Sequence, residues 1–169
     1  MLLELYADAS WSIVQDVGVI SFYETYTNEF YVSNKFKCDS SKSAECVAVD
    51  LALQALLVKI HKNNLPVTSI IIYTDLLDIV NKFNNYSNCT DLTANCILRN
   101  LFSNISIFSD EINIEIKFTN RKKSNIFQLV DMLAYRKLKD IPLEIEKKFV
   151  FGMYADTNVN PYSVKWYDE

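Results

Sequence analysis

The sequence predicts a single α/β domain built on a mixed β-sheet. Three apolar runs of strand character, at residues 2–7, 17–23 and 30–36, precede the first helical stretch. Two later runs, at 69–74 and 112–119, alternate with helical stretches, which is the arrangement that parallel strands joined by crossover helices require. A chain of 169 residues, 50% apolar and 13% aromatic, buries one ordinary core and is too short for two.

The first run ends at Asp8. The next two are β-rich and are separated by the polar stretch 24–29, so three antiparallel strands joined by hairpins are expected. From about residue 43 to 63 the pattern switches to a helical period, with Ser43, Asp50, Gln54 and His61 predicted as its solvated stripe and Asn63-Asn64-Leu65-Pro66 as its stop. Residues 69–74, with isoleucine at 70, 71 and 72, read as a strand buried on both faces. Asp75 closes that strand and is expected to cap a helix over 76–83. There follow a polar loop, a helix from 91 to about 104, the strand at 112–119, a basic loop over 120–124 and a helix over 125–138. Past Pro142 a short helical stretch at 143–149 leads into an irregular aromatic tail over 150–169. Residues 1–140 form the main domain in this reading, with 141–169 packed on it.

Composition narrows the function. Two glycines and three prolines leave no Gly-rich phosphate loop of either the P-loop or the dinucleotide type. With a net charge of −4, attraction to a polyanion must come from a local basic patch or from bound cations. Acids clustered to hold metal fit such a balance. Cys38, Cys46, Cys89 and Cys96 form no C-x-x-C pair, and the single histidine, His61, completes no familiar zinc spacing with them. Four reduced thiols in a cytoplasmic, reducing compartment are expected. No run approaches the roughly 18 apolar residues of a membrane span, and no secretory signal opens the chain, so no membrane association is expected.

The acids carry the chemistry. At about 100° per residue, Glu45 lies about 180° from Gln54 and about 160° from Ser43 and His61, opposite the predicted polar stripe. Its neighbours on that face are Ala48, Val49, Ala52 and Leu56, so a carboxylate there must be paired, protonated or metal-bound. The other reading of Glu45 is a first-turn glutamate favoured by the helix dipole. Asp131 stands among Phe127, Ala134, Tyr135 and Leu138, where the same argument applies and a salt bridge is the alternative. Asp8 and Asp75 both end strands, at the position where ligands bind on sheets with parallel strands, although strand-end acids often only start turns.

These residues together resemble the ribonuclease H family. Tyr6-Ala7-Asp8-Ala9-Ser10 is similar to its first-strand Thr-Asp-Gly-Ser. Ser43-Ala44-Glu45-Cys46-Val47-Ala48 resembles its helix glutamate, Ile72-Tyr73-Thr74-Asp75 its fourth-strand Thr-Asp-Ser, and Val130-Asp131-Met132-Leu133-Ala134 its final Ala-Asp-x-Leu-Ala. The order holds from residue 2 to about 138. The resemblance implies a ribonuclease H-like five-stranded mixed sheet flanked by helices on both faces. It also implies an endonuclease in which Asp8, Glu45, Asp75 and Asp131 hold two Mg2+ or Mn2+ ions and hydrolyse phosphodiesters. Oxygen-only ligands suit those hard cations.

The sequence departs from the family in three places. Ala9 stands where glycine is usual, Leu76 follows Asp75 where serine is frequent, and residues 119–125 lack the histidine often found before the last acid. The missing histidine implies slower product release or a different substrate. Only Lys82 and Arg99 are basic between Leu76 and Asp110, so no basic insertion for gripping a hybrid is present. Ser10, Trp11, Arg121, Lys122, Lys123 and Asn125 are the candidate contacts to nucleic acid, through stacking or phosphate binding, with core packing and solvated surface as their alternatives. The expected substrate is the RNA strand of an RNA–DNA hybrid. A nuclease of the same fold acting on DNA or structured RNA is the first alternative. A non-catalytic interaction domain, with a protein partner on the C-terminal tail, is the second.

Overall fold

The computed structural model describes residues 1–85, 92–108, 110–120, 122 and 124–141, with the side chains of residues 85 and 92–96 excepted. Among these residues six strands and four helices follow in the order β1 Leu2–Ser12, β2 Val17–Glu24, β3 Glu29–Val32, β4 Phe36–Lys37, α1 Ser41–Asn63, β5 Ser69–Thr74, α2 Leu77–Asn85, α3 Leu92–Phe108, β6 Asn113–Phe118 and α4 Asn125–Leu138. The sheet order is β3-β2-β1-β5-β6, with the short β4 paired to β2. β1 pairs antiparallel with β2 and parallel with β5, and β5 pairs parallel with β6. The mixed α/β sheet read from the sequence is thus the one that forms, with helices on both faces.

Alternation along the central strand sets the two layers. Leu3, Leu5, Ala7 and Ala9 of β1 join Ile70, Ile72, Ile114 and Ile116 in the main core, against α1, α2 and α3. On the other face Val19, Tyr23, Phe30 and Val32 pack with Val130, Leu133, Ala134 and Leu138 of α4, and Tyr6 packs beside them. Ser40 caps α1 by accepting a hydrogen bond from the Ser43 N–H, at 3.0 Å, and the left-handed Asn64 (φ 50°) ends the helix, as the Asn-Asn-Leu-Pro stop predicts. Ser124 caps α4 in the same way, accepting from the Phe127 N–H at 3.1 Å.

Four local expectations need correction. The stripe on α1 is solvated only toward its end: Ser43 is 1% and Asp50 0% exposed, whereas Gln54 is half-buried and His61 exposed, because the first half of α1 is enclosed by the sheet and its neighbours. β5 is buried on one face only, since α4 crosses β1, β2 and β3 and leaves the second face of β5 half open. β1 continues five residues past Ala7, where polar Asp8, Ser10 and Ser12 interrupt the apolar run and hide its strand character. Asp75 lies ahead of the cap position of α2, which starts at Leu77, and it is the Thr74 hydroxyl that accepts from the Leu76 N–H, at 3.2 Å.

The stretch at 143–149 and the tail at 150–169 lie outside the described residues, as does Cys89. Cys38 and Cys46 are buried thiols. Among the described residues no helix is long and apolar enough to cross a membrane.

Candidate metal centre

The parallel register of β1 and β5 sets two acids level. Its last pair is Tyr6 with Tyr73, whose rings stack at 4.7 Å and 20°, and Asp8 and Asp75 each follow two residues later. Asp75 therefore stands at the carboxyl end of β5, and Asp8 beside it just past the stretch of β1 that pairs with β5, at the edge where such sheets bind ligands. Asp8 is still within the sheet, opposite Ser21 of β2, and is 0% exposed, whereas Asp75 stands just past the end of β5 and is half-buried.

Glu45 arrives from α1. No acid lies in the first turn of that helix, so Glu45 sits beyond the reach of the helix N-terminus and the dipole does not account for it. Ala48, Val49, Ala52 and Leu56 around it are buried, and its Oε2 is shielded from solvent without a hydrogen bond. Burial pushes the Glu45 carboxyl well above the usual glutamate range, and the charges of Asp8 and Asp75 and a hydrogen bond with the Asp8 side chain push it the same way. The Ala9 backbone N–H acts in the opposite sense.

One carboxylate oxygen from each of Asp8, Glu45 and Asp75 lies within 4.8 Å of the other two. Two ionised carboxylates at that separation repel by about 3 kcal/mol at an effective dielectric of about 20, so the charged cluster needs a proton or a cation. Oxygens bound to one Mg2+ or Ca2+ at about 2.0–2.6 Å stand no more than about 5 Å apart, which the trio satisfies. The shielded Glu45 oxygen supplies a donor atom for which the protein offers no hydrogen bond. The three residues thus fit a hard divalent cation, and the group can hold one.

Asp131 lies outside this trio. It is half-buried on α4, next to Val130, whose carbonyl accepts a hydrogen bond from the Ser21 hydroxyl. Because Ser21 is the cross-strand partner of Asp8, this bond anchors α4 at the level of the cluster. Of the candidate nucleic-acid contacts, Ser10 and Trp11 are half-buried at the end of β1, and the Trp11 indole N–H donates to the Cys38 carbonyl at 2.8 Å. Lys122 is exposed, with its backbone N–H bound to the Asn120 side chain at 2.9 Å, and Asn125 is exposed at the start of α4. Arg121 and Lys123 lie outside the described residues.

Two contributors were missed in the sequence. Lys42 forms a 2.6 Å ion pair with Asp78, joining the starts of α1 and α2 beside the acids. A lysine three residues before a candidate ligand was the available signal. Ser21 was the other, a lone hydroxyl inside an apolar strand.

No protein-family model matches the chain, and no curated protein matches it by sequence. Solved structures do match. RNase H1 from the halophilic archaeon Halobacterium salinarum NRC-1 aligns with a TM-score of 0.60 at 14% identity, over 83% of this chain and 99% of that one. LC11-RNase H1, solved in complex with an RNA/DNA hybrid, aligns with a TM-score of 0.60 at 16% identity, over 81% and 99%. The N-terminal RNase H domain of a Mycobacterium tuberculosis protein gives 0.61 at 12% identity, over 83% and 95%. A likeness of this breadth at such low identity is one of architecture, and the chain has the ribonuclease H-like fold.

Proposed function

We propose that the protein is a divalent-metal-dependent endonuclease that cuts the RNA strand of RNA–DNA hybrids. The convergence of Asp8, Glu45 and Asp75 where the parallel pairing of β1 with β5 ends carries this reading. The fold shared with an RNase H1 that was solved on an RNA/DNA hybrid supports the substrate class. Asp8 and Asp75 are the central ligands, Glu45 faces the scissile strand, and Asp131 on the adjoining helix completes the place for a second ion. Mg2+ or Mn2+ bound there would activate water and stabilise charge on the phosphate and the leaving oxygen. The protein's own part is to hold the carboxylates level, to keep Glu45 deprotonated once a cation is present, and to guide the backbone of the nucleic acid. Ser10, Trp11, Arg121, Lys122, Lys123 and Asn125 are the proposed contacts for that guidance, Trp11 by stacking and the others through hydrogen bonds and phosphate charge. Residues 1–140 form the catalytic domain in this proposal, with 141–169 packed on it and open to a protein partner. The buried thiols Cys38 and Cys46 fit a reducing, cytoplasmic setting.

Cleavage of labelled RNA–DNA hybrid, duplex DNA and structured RNA, each with Mg2+ or Mn2+, tests the proposal. The expected result is metal-dependent cutting of RNA in the hybrid alone. Cutting of DNA or structured RNA instead would keep the nuclease and change its substrate. Absence of cleavage on all of them would leave the non-catalytic interaction domain, which the loop without histidine favours.

A further inference from the structure

Glu45 and Asp8 belong to different elements that repulsion drives apart, so something must hold the start of α1 against the end of β1. Core packing joins the two elements along their length, and beside the site itself a local contact adds to it. Three residues past Asp8, the Trp11 indole N–H donates to the Cys38 carbonyl at 2.8 Å, across 27 positions of chain. Cys38 lies two residues before Ser40, the cap of α1. The same residue donates its backbone N–H to the Asp16 carbonyl at 2.9 Å, and its thiol points to the Ser40 carbonyl at 3.3 Å. The segment that launches the helix is thus tied on one side to β1 and on the other to the turn that follows it.

The cross-strand partner of Trp11 is Gly18, and it closes the same gap from below. A Cβ at Gly18 would stand 3.1 Å from the Phe36 ring and 3.3 Å from the Ala44 Cβ. Ala44 immediately precedes Glu45, so the bare backbone at 18 lets the opening turns of α1 settle onto β2. The indole ring also packs against the main core, which leaves its N–H little freedom to point elsewhere.

We propose that Trp11 is a positioning residue, whose hydrogen bond to the Cys38 carbonyl fixes the start of α1 and so keeps Glu45 at metal-binding distance from Asp8. The inference rests on the metal-site reading above and adds a residue that touches no ion. Glu45 stands only five residues past the Ser40 cap of α1, so slack at that cap becomes displacement of the Glu45 carboxylate. Without the tie, the three acids relax apart, and part of the binding energy of a cation is spent drawing them together again.

Titration calorimetry with Mn2+ on the full chain tests this, comparing wild type, Trp11→Phe and the exposed control Ile13→Ser. Phe keeps the ring and loses the donor. The expected result is a Kd for Mn2+ raised about tenfold in Trp11→Phe, the equivalent of one hydrogen bond, and unchanged in Ile13→Ser. In chelator, Trp11→Phe should melt within a few degrees of wild type, with a smaller rise on adding Mn2+. An unchanged Kd in a folded Trp11→Phe protein would overturn the proposal, since a merely structural tryptophan lowers Tm and leaves the affinity of the folded protein alone. If that variant fails to fold, the indole 15N–H resonance of Trp11 in wild type decides: it should shift on Mg2+ addition together with the Glu45 amide, and a silent indole beside a shifting Glu45 would overturn the proposal. A wild type that binds neither ion would remove the metal site itself, and the tie with it.

Discussion

The hydroxyl of Ser21 donates to the carbonyl of Val130, joining the strand beside Asp8 to the helix that carries Asp131. Asp131 leaves α4 one residue past that anchor yet stays outside the trio formed by Asp8, Glu45 and Asp75. In the proposed two-metal site it is the ligand of the second ion. Asp131→Asn should reduce the Mn2+ stoichiometry from two to one and lower cleavage by about two orders of magnitude, the loss of one preorganised charge at the transition state. Calorimetric stoichiometry checks this. Two ions bound with full activity would place Asp131 in a structural role.

Asp8 is fully buried among like charges, so removing its charge should stabilise the metal-free fold while destroying the site. Asp8→Asn is expected to abolish metal-dependent cleavage with Tm in chelator unchanged or raised. A large fall in Tm with activity retained would show that Asp8 supports the fold instead.

The raised pKa of Glu45 has a defined sign in stability. Because its folded value lies well above the ordinary 4.5, the stability this group contributes is complete below 4.5 and is lost as pH rises through the folded value. Metal-free wild type should lose Tm relative to Glu45→Gln as pH increases over that window. Saturating Mg2+ should remove the difference in slope, because metal binding expels the proton. Thermal melts of both proteins from acidic to neutral pH, with chelator and with Mg2+, measure this. Parallel curves in chelator would contradict it.

Away from the site, Lys59 of α1 pairs with Glu24, their side chains 5% and 3% exposed, and also donates to the Tyr31 hydroxyl at 2.8 Å. Glu24 in turn accepts from the backbone N–H groups of Tyr26 and Thr27, at 2.6 and 3.2 Å, so this cluster pins the β2–β3 turn to α1. Lys59→Met strands a buried carboxylate and should cost about 3–5 kcal/mol in urea unfolding. Lys35→Ala breaks the exposed pair with Asp140, whose side chain is 78% accessible, and should cost less than about 1 kcal/mol. Equal losses in the two variants would refute the distinction.

Asp8 and Asp75 were legible in the sequence because each follows an apolar run of strand character, although only Asp75 ends its strand, and the parallel register of β1 with β5 brings them level. Glu45 was found on a reason that fails in part. Its apolar neighbours are buried, but half of the stripe supposed to oppose it, Ser43 and Asp50, is buried too, because a helix enclosed on two sides keeps a solvated face only toward its end, at Gln54 and His61. The open face of β5 was hidden for a related reason: three successive isoleucines do not say how far the helix on the second face extends. The ties at Trp11 and Ser21 end on backbone carbonyls, and a carbonyl carries no residue identity for a sequence to display.

The central claim is that Asp8, Glu45 and Asp75 hold a divalent cation together. Crystals grown in Mn2+ and measured at the manganese absorption edge test it most directly. An anomalous peak about 2.1 Å from one oxygen of each of the three residues is the predicted result. A map with no peak there at saturating Mn2+, with the three carboxyls sharing protons instead, would contradict it.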